Sequence, residues 1–198
     1  MASATPDGKL ILLIGPSGVG KSSIVKTLRA RHPEFHLPRS ATTRARRPGE
    51  GDESYYFLDD TQFDEWIKGG KFLEWQLVHQ SARYGTVTAE IVEAVRAGKT
   101  VLREIDMQGL EALKAHPELL GGERPIRLLS IFVLPESTEQ LVAHITGRAA
   151  MPAEELKHRI ESMEHELAKA ALCDAQVVNR EGKLEETVNE VERLITAV

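Results

Sequence analysis

The stretch Gly15-Pro16-Ser17-Gly18-Val19-Gly20-Lys21-Ser22 decides the fold class. It fits the pattern GxxxxGK[ST], which a chain of this length would contain by chance in about one case in a hundred. An apolar run at 10–14 precedes it and a helical pattern at 22–31 follows it. A phosphate-binding loop requires that order, because its backbone N–H groups and the N-terminus of the next helix both point at the anion. The sequence therefore predicts ATP or GTP binding, with Lys21 on the terminal phosphates and the Ser22 hydroxyl as a Mg²⁺ ligand.

The rest of the chain alternates between apolar runs and helical patterns. Further runs at 101–105, 129–134 and 176–178 alternate with helical patterns at 89–96, 138–146 and 152–172. Strands that alternate with helices are typical of an α/β fold built on a parallel sheet. Residues 38–88 break this alternation with short aromatic pieces and turn residues. They predict a small, mostly β insertion.

Composition excludes several classes of protein. The chain has 198 residues, of which 41% are hydrophobic and 28% charged, values typical of one soluble domain. Its net charge of −5 provides no basic field for nucleic acid. The single cysteine, Cys173, excludes an intrachain disulfide, and the run at 10–14 is too short to span a membrane. We expect a cytoplasmic protein without nucleic-acid or membrane partners.

Two further groups of charged residues can be interpreted either as ligand-binding sites or as ordinary charges at the protein surface or a sheet edge. Arg44, Arg46 and Arg47 form a local cationic cluster that suits either a second phosphate site or a solvated surface. Strand alternation over 101–106 places Glu104 and Asp106 on one side, as ligand-binding carboxylates or as a charged pair at a sheet edge. The residues alone leave both questions open. Arg148 and Arg159, near a junction between two helical patterns, are not diagnostic by themselves.

Taken together, these motifs resemble the guanylate kinase family from about residue 9 to residue 198. The family's GPSGVGKST corresponds to 15–23, with Ser23 in place of threonine, and its SxTTRxxRxGE corresponds to 40–50. Its YxF, FLE, YGT and DxDxQG motifs correspond to 55–57, 72–74, 84–86 and 104–109, the last beginning with Glu104. The resemblance implies a P-loop nucleoside-monophosphate kinase fold in a single domain. Its core would be 9–37, 89–138 and 165–198, its NMP-binding insertion 38–88 and its helical LID 139–164.

The resemblance also implies an activity and a set of site residues. The reaction would transfer the γ-phosphoryl group of ATP to GMP, and also to dGMP, with Mg²⁺ bound through Ser22. Donor-binding residues would be Gly15, Pro16, Ser17, Gly18, Val19, Gly20, Lys21, Ser22 and Ser23, with Asn179 on the adenine side. The GMP phosphate would be held by Arg44, Arg47, Tyr55 and Tyr84, and the guanine read by Ser40, Glu74, Thr86 and Asp106. The implied catalytic residues are Lys21, Arg44, Arg148 and Arg159.

Two other functions fit parts of the same pattern. One is a P-loop kinase for another phosphate-bearing acceptor, such as a ribose bisphosphate; the other is a non-catalytic guanylate-kinase-like binding module. Retention of Lys21 and Ser22 argues against the module, and the presence of Ser40, Glu74 and Thr86 argues against the other acceptor. The sequence makes no prediction about oligomeric state.

Overall fold

The structure, a computed structural model, describes residues 8–78, 82–116, 126–146 and 153–198. In chain order its elements are β1 (Lys9–Ile14), α1 (Lys21–Arg31), β2 (Ser40–Thr42), β3 (Tyr55–Phe57), α2 (Asp60–Lys68), β4 (Phe72–Val78), β5 (Ala82–Val87), α3 (Thr88–Arg96), β6 (Thr100–Glu104), α4 (Met107–Lys114), β7 (Arg127–Pro135), α5 (Thr138–Thr146), α6 (Ala153–Ala168), a 3₁₀ helix (Ala170–Leu172), β8 (Ala175–Asn179) and α7 (Leu184–Ala197). They form two compact units. One contains Met1–Leu10, Phe35–Val101 and Gln108–Arg127, and the other contains Ile11–Glu34, Leu102–Met107 and Leu128–Val198.

The second unit is built on a four-stranded parallel sheet in the order β6-β1-β7-β8. The side chains of residues 11–14 are fully buried, as expected for a central strand covered on both faces. Strand β8 pairs in parallel with β7, from Ala175 opposite Ile131 to Asn179 opposite Pro135. The predicted α/β fold with a parallel sheet is confirmed. No helix within the described ranges is long and apolar enough to cross a membrane.

The helix expected over 152–172 is divided in two. Helix α6 ends at Ala168 and the 3₁₀ helix follows. The backbone N–H groups of Lys169, Leu172 and Cys173 donate to carbonyls three residues earlier, so the chain tightens into the 3₁₀ form before β8.

In the first unit, strands β2, β3, β4 and β5 form a second four-stranded sheet in the order β3-β2-β5-β4. Strands β2 and β3 are parallel, whereas the β2–β5 and β5–β4 pairs are antiparallel. One face of this sheet is apolar: buried Ala41 and Val87 form a cluster with Phe63 of α2. Side chains that alternate with the apolar ones belong to the opposite face, which we call the polar face. It carries Ser40, Thr42, Tyr55, Glu74, Tyr84 and Thr86.

Helix α2 covers the apolar face and was not predicted. Asp59 caps it by accepting from the Gln62 backbone N–H, and the Gln62 side chain accepts in return from the Asp59 N–H. Phe63 is fully buried, and Trp66 and Ile67 pack against the same cluster. These three apolar residues at helical spacing, preceded by a capping box, were the overlooked signal.

On the apolar side of the same sheet, the Glu90 carboxylate contacts three polar side chains. Glu90 of α3 accepts hydrogen bonds from Arg39 at 2.8 Å and from the Tyr56 hydroxyl, and His36 lies 3.5 Å away. Burial by itself would raise the pKa of the Glu90 carboxyl, but the hydrogen bonds from Tyr56 and Arg39 outweigh it and lower that pKa below the usual value. This polar cluster joins the segment that precedes β2 to β3 and α3.

Candidate active site

Residues 15–20 of the second unit form the tight loop that the motif predicts between β1 and α1. Gly15, Gly18 and Gly20 all have positive φ, at 142°, 87° and 99°. A Cβ on Gly15 would lie 2.5 Å from the Val133 carbonyl oxygen, so no other residue fits beside β7. The backbone can therefore curl closely enough for its N–H groups to surround an anion.

The N-terminus of α1 is left open for that anion. Among the described residues, no side chain caps α1 at Gly20 and none of its first-turn residues is acidic. The exposed N–H groups and the helix dipole therefore favour a phosphate. Lys21, the first helical residue, curls back so that its ammonium donates to the Gly15 carbonyl and, at 3.1 Å, to the Pro16 carbonyl. This arrangement brings one cation to the loop from within its own sequence.

Ser22 and Glu104 meet beside the loop. The Ser22 hydroxyl donates to Glu104 Oε2 at 2.9 Å. A hydroxyl and a carboxylate are the hard oxygen donors that suit Mg²⁺, which commonly binds through one or two protein groups plus substrate phosphates. Strand β6 ends at Glu104, so the strand alternation used to place Asp106 on the same side does not extend that far. Asp106 is half-buried just beyond the strand.

Glu166 of α6 is an acidic neighbour of the loop that the sequence analysis missed. Burial raises the pKa of its carboxyl; the nearby Lys21 ammonium acts in the opposite direction, and the Asp106 carboxylate adds to the increase. Thus Glu166 interacts electrostatically with both Lys21 and Asp106. The overlooked signal was spacing: Glu166 lies three residues after buried Met163, on the stripe that α6 turns to the core.

The remaining predicted residues of this unit are placed as follows. Asn179 ends β8 and its side-chain amide donates to the Val19 carbonyl at 2.8 Å. A surface cavity of about 490 Å³ adjoins the loop, lined by residues including Gly18, Gln140 and Asn179. Arg159 is half-buried on α6. Arg148 lies outside the described residues.

In the first unit, three of the four side chains predicted to read guanine form one row across the polar face. Ser40 on β2 and Glu74 on β4 are both paired in register with Thr86 on β5, the strand that lies between them. Thr86 and Ser40 are buried, and the Thr86 hydroxyl donates to the Glu74 carboxylate. We call Ser40, Thr86 and Glu74 the polar row.

A β-bulge sets the position of Glu74 in this row. The register with β5 shifts between Phe72, which faces Val87, and Glu74, which faces Thr86. Without that shift, regular antiparallel counting would place Glu74 opposite Gly85. Gly85 itself lacks room for a side chain, since a Cβ there would lie 2.7 Å from the Phe72 ring.

Beside the polar row, Arg44 lies near two tyrosines. Its guanidinium carbon is 5.6 Å from the centre of the Tyr55 ring, and the Tyr55 and Tyr84 rings are 6.1 Å apart, edge to face. Glu50 holds Arg44 with contacts of 2.7 and 2.9 Å from one guanidinium nitrogen to its two oxygens. The hydrogen bond from Arg44 lowers the pKa of the Glu50 carboxyl. We call Arg44, Tyr55 and Tyr84 the arginine–tyrosine cluster.

The remaining arginines and the second tyrosine lie elsewhere. Arg47 is exposed, and its backbone N–H donates to Glu50 at 3.0 Å. Arg46 pairs with Asp52. Tyr56 points behind the sheet to Arg39 and Trp66, so Tyr55 is the one beside Arg44. Glu50, which organises the cluster, was quoted only as part of a motif in the sequence analysis.

Comparison with known proteins decides the family. The family model described as guanylate kinase matches residues 7–198. The chain belongs to the guanylate kinase family. It is 41% identical over 184 residues to a guanylate kinase of Nocardia farcinica, covering 91% of each chain. It is 40% identical over 190 residues to a guanylate kinase of Thermobifida fusca, covering 96% of this chain and 91% of that protein.

A solved structure shows a similar fold. The crystal structure of guanylate kinase from Anaplasma phagocytophilum matches with a TM-score of 0.68 at 24% identity, covering 97% of this chain and 86% of that one. At this identity the likeness bears on the fold alone. The predicted family and fold are therefore both confirmed, whereas the individual residue roles and the division into core, insertion and LID stay predictions.

Proposed function

We propose that the chain is an ATP:GMP phosphotransferase, which produces ADP and GDP and also accepts dGMP. The observation that carries the proposal is the polar row beside the arginine–tyrosine cluster. One polar face of the first unit presents a carboxylate with two hydroxyls and, next to them, a guanidinium with two phenols. A purine monophosphate also carries two such recognition groups, a base edge and a phosphate.

The hydrogen-bonding edge of guanine explains why the row favours that base. Guanine presents N1–H and the N2 amino group side by side, so the Glu74 carboxylate can accept from both. Adenine presents a bare N1 acceptor, which the carboxylate would repel. The hydroxyls of Ser40 and Thr86 can donate or accept at the remaining positions. Asp106, in the other unit, is included among the guanine-reading residues by family resemblance.

The arginine–tyrosine cluster, which would hold the GMP phosphate, supports phosphoryl transfer without a general base. A phosphate monoester has a second pKa near 6, so the acceptor oxygen of GMP is already deprotonated at pH 7. Arg44 supplies a planar donor fork that Glu50 holds in place, and Tyr55 and Tyr84 supply hydroxyls. Transfer then depends on positioning and on charge stabilisation.

The donor would be held by the loop of residues 15–23. Its N–H groups and Lys21 neutralise the phosphates of ATP, while Arg148 and Arg159 are proposed to stabilise the transferred group. Ser22, with Glu104 beside it, would hold Mg²⁺, which supplies positive charge to the phosphate oxygens when bound. ATP and GMP are thus the proposed small-molecule partners. A cytoplasmic location, and the absence of nucleic-acid and membrane partners, stay predictions.

A coupled assay of ADP release tests this function. Wild-type protein would be given ATP and Mg²⁺ with GMP, dGMP, AMP, CMP, UMP or a ribose bisphosphate in parallel. We expect rapid release with GMP and dGMP and far less with the others; Lys21→Ala protein reports any contaminating kinase. Preference for a ribose bisphosphate would refute the proposed acceptor, and no release above the Lys21→Ala background would indicate a binding module.

A further inference from the structure

The amide of Asn179 is engaged at both ends inside the second unit. Its Nδ2 donates to the Val19 carbonyl at 2.8 Å, and its Oδ1 accepts from the Thr187 hydroxyl at 3.1 Å. Thr187, on α7, is only 2% exposed. A carbonyl oxygen can only accept, so the Val19 contact requires the amino side of the amide to face the loop. The Thr187 hydroxyl fits the opposite side.

The same amide packs directly against the loop backbone. A Cβ on Gly20 would lie 2.4 Å from Asn179 Nδ2, so the amide occupies the space that any side chain at Gly20 would need. Gln140 adds a weaker contact, from its Nε2 to the Asn179 backbone carbonyl at 3.5 Å. The end of β8 is therefore joined to the loop by one side chain.

This contact controls the direction of a loop N–H group. The peptide bond is planar and trans, so the Val19 carbonyl and the Gly20 N–H point in opposite directions. Holding the carbonyl toward Asn179 therefore turns the Gly20 N–H away from it. Rotation of this peptide changes ψ of Val19 and φ of Gly20, and Gly20, whose φ is 99°, is a residue type that admits both signs of φ at little cost. Without a restraint, this peptide could rotate and remove an N–H donor from the phosphate site.

We propose that Asn179 is a positioning residue of the phosphate loop, oriented by Thr187, and that this is its role in place of a contact with adenine. The inference rests on the proposed function in that the loop holds the phosphates of the donor. It predicts that Asn179 and Thr187 affect the binding of any polyphosphate at the loop, whether or not the ligand carries a base.

Inorganic tripolyphosphate with Mg²⁺ is the probe that separates the two roles. Calorimetry would give its dissociation constant, with those of ATP and GMP, for wild-type, Asn179→Ala, Thr187→Val and Thr187→Ser proteins. We expect Asn179→Ala to weaken tripolyphosphate and ATP by a common factor of about tenfold, and Thr187→Val by about threefold, as for loss of one hydrogen bond. Thr187→Ser keeps the hydroxyl and should restore both affinities.

Two internal controls keep the result interpretable. GMP binding, which is assigned mainly to side chains of the first unit and to none of the substituted residues, should be unchanged and reports the folded fraction of each sample. Asn189→Ala removes the same side chain from an exposed position of α7 and should leave tripolyphosphate binding at the wild-type value. Because binding is measured without turnover, failure of the protein to phosphorylate GMP would not affect this test.

Each possible result of these binding measurements either overturns or supports the inference. Weakened ATP binding with unchanged tripolyphosphate binding would assign Asn179 to adenine and overturn the inference. Unchanged affinity for both ligands would overturn it as well. The positioning role would be established if Asn179→Ala and Thr187→Val each weaken ATP and tripolyphosphate binding by the same factor and the Thr187→Ser protein binds both ligands as the wild type does.

Discussion

Replacing Glu74 with glutamine should change base selection with little effect on the fold. Glu74→Gln keeps the size of the side chain but replaces one acceptor oxygen with an NH₂ donor. In the structure, the Thr86 hydroxyl uses one lone pair of the carboxylate. An ionised carboxylate offers about four such positions, so two guanine donors can be accepted as well.

The size of the effect follows from those two bonds. Each hydrogen bond to a charged group contributes about 1.5–3 kcal/mol, and two give about 3–6 kcal/mol, or roughly 10²- to 10⁴-fold. Glu74 is only half-buried, so competition with water favours the lower end of that range. We expect kcat/KM for GMP to fall about 10²-fold and kcat/KM for AMP to change little. Inosine monophosphate, which lacks the N2 amino group, should lose less than GMP.

Steady-state kinetics with the three nucleotides, at fixed ATP and Mg²⁺, would test this reasoning. Glu65→Gln makes the same substitution at an exposed position of α2 and should leave all three values unchanged. Equal losses for GMP and AMP, or an unaltered GMP value, would refute the role of Glu74. Asp106 would then be the next carboxylate to replace.

Three further substitutions test the loop, the phosphate end and the fold. Lys21→Ala should lower kcat at least about 10²-fold while the Tm stays within a few degrees; retention of more than a tenth of kcat would contradict its role in transfer. Glu50→Gln should raise the KM for GMP several-fold, since Arg44 loses the group that orients it; a lower KM would show instead that Glu50 competes with phosphate. Glu90→Gln should lower the free energy of unfolding by about 2 kcal/mol at pH 7. Because the folded-state pKa of Glu90 lies below its unfolded value, this difference in stability should persist above about pH 4.5 and fade as the pH falls through the folded pKa. Urea unfolding of both proteins across that pH range would measure it. A difference that does not change with pH would contradict the prediction.

The nucleotide loop could be predicted from sequence because its requirements are local. The glycines, Lys21 and Ser22 must be adjacent in the chain for the loop to close around a phosphate, so a short motif suffices. Strand β1 was equally clear, since its five consecutive fully buried residues, 10–14, form a continuous apolar run. In contrast, Glu166 is 145 positions from Lys21, and no local rule connects the two.

The polar row could be predicted only through family resemblance. Composition and spacing do not reveal that Ser40, Glu74 and Thr86 meet, because their row depends on the pairing of three strands. The bulge after Phe72 shifts that pairing by one residue, and one residue is enough to turn a strand's side chains to the other face. Tyr55 and Tyr56 illustrate the same rule, since adjacent positions lead to Arg44 in one case and to Arg39 in the other.

The arginines around residue 45 show why counting charges in the sequence is not enough to predict how the arginine–tyrosine cluster acts. Arg44 and Arg46 look like a cationic cluster in sequence, but Glu50 and Asp52 accept from them in the structure. A neutralised arginine contributes little long-range attraction, and the dominant effect of its partner is to fix the direction of its donors. Recognition of the GMP phosphate should therefore depend on geometry at Arg44 more than on the net charge of the segment. Accordingly, substitution of Arg44 by lysine, which keeps the charge but loses the planar fork, should impair GMP binding nearly as much as removal of the charge.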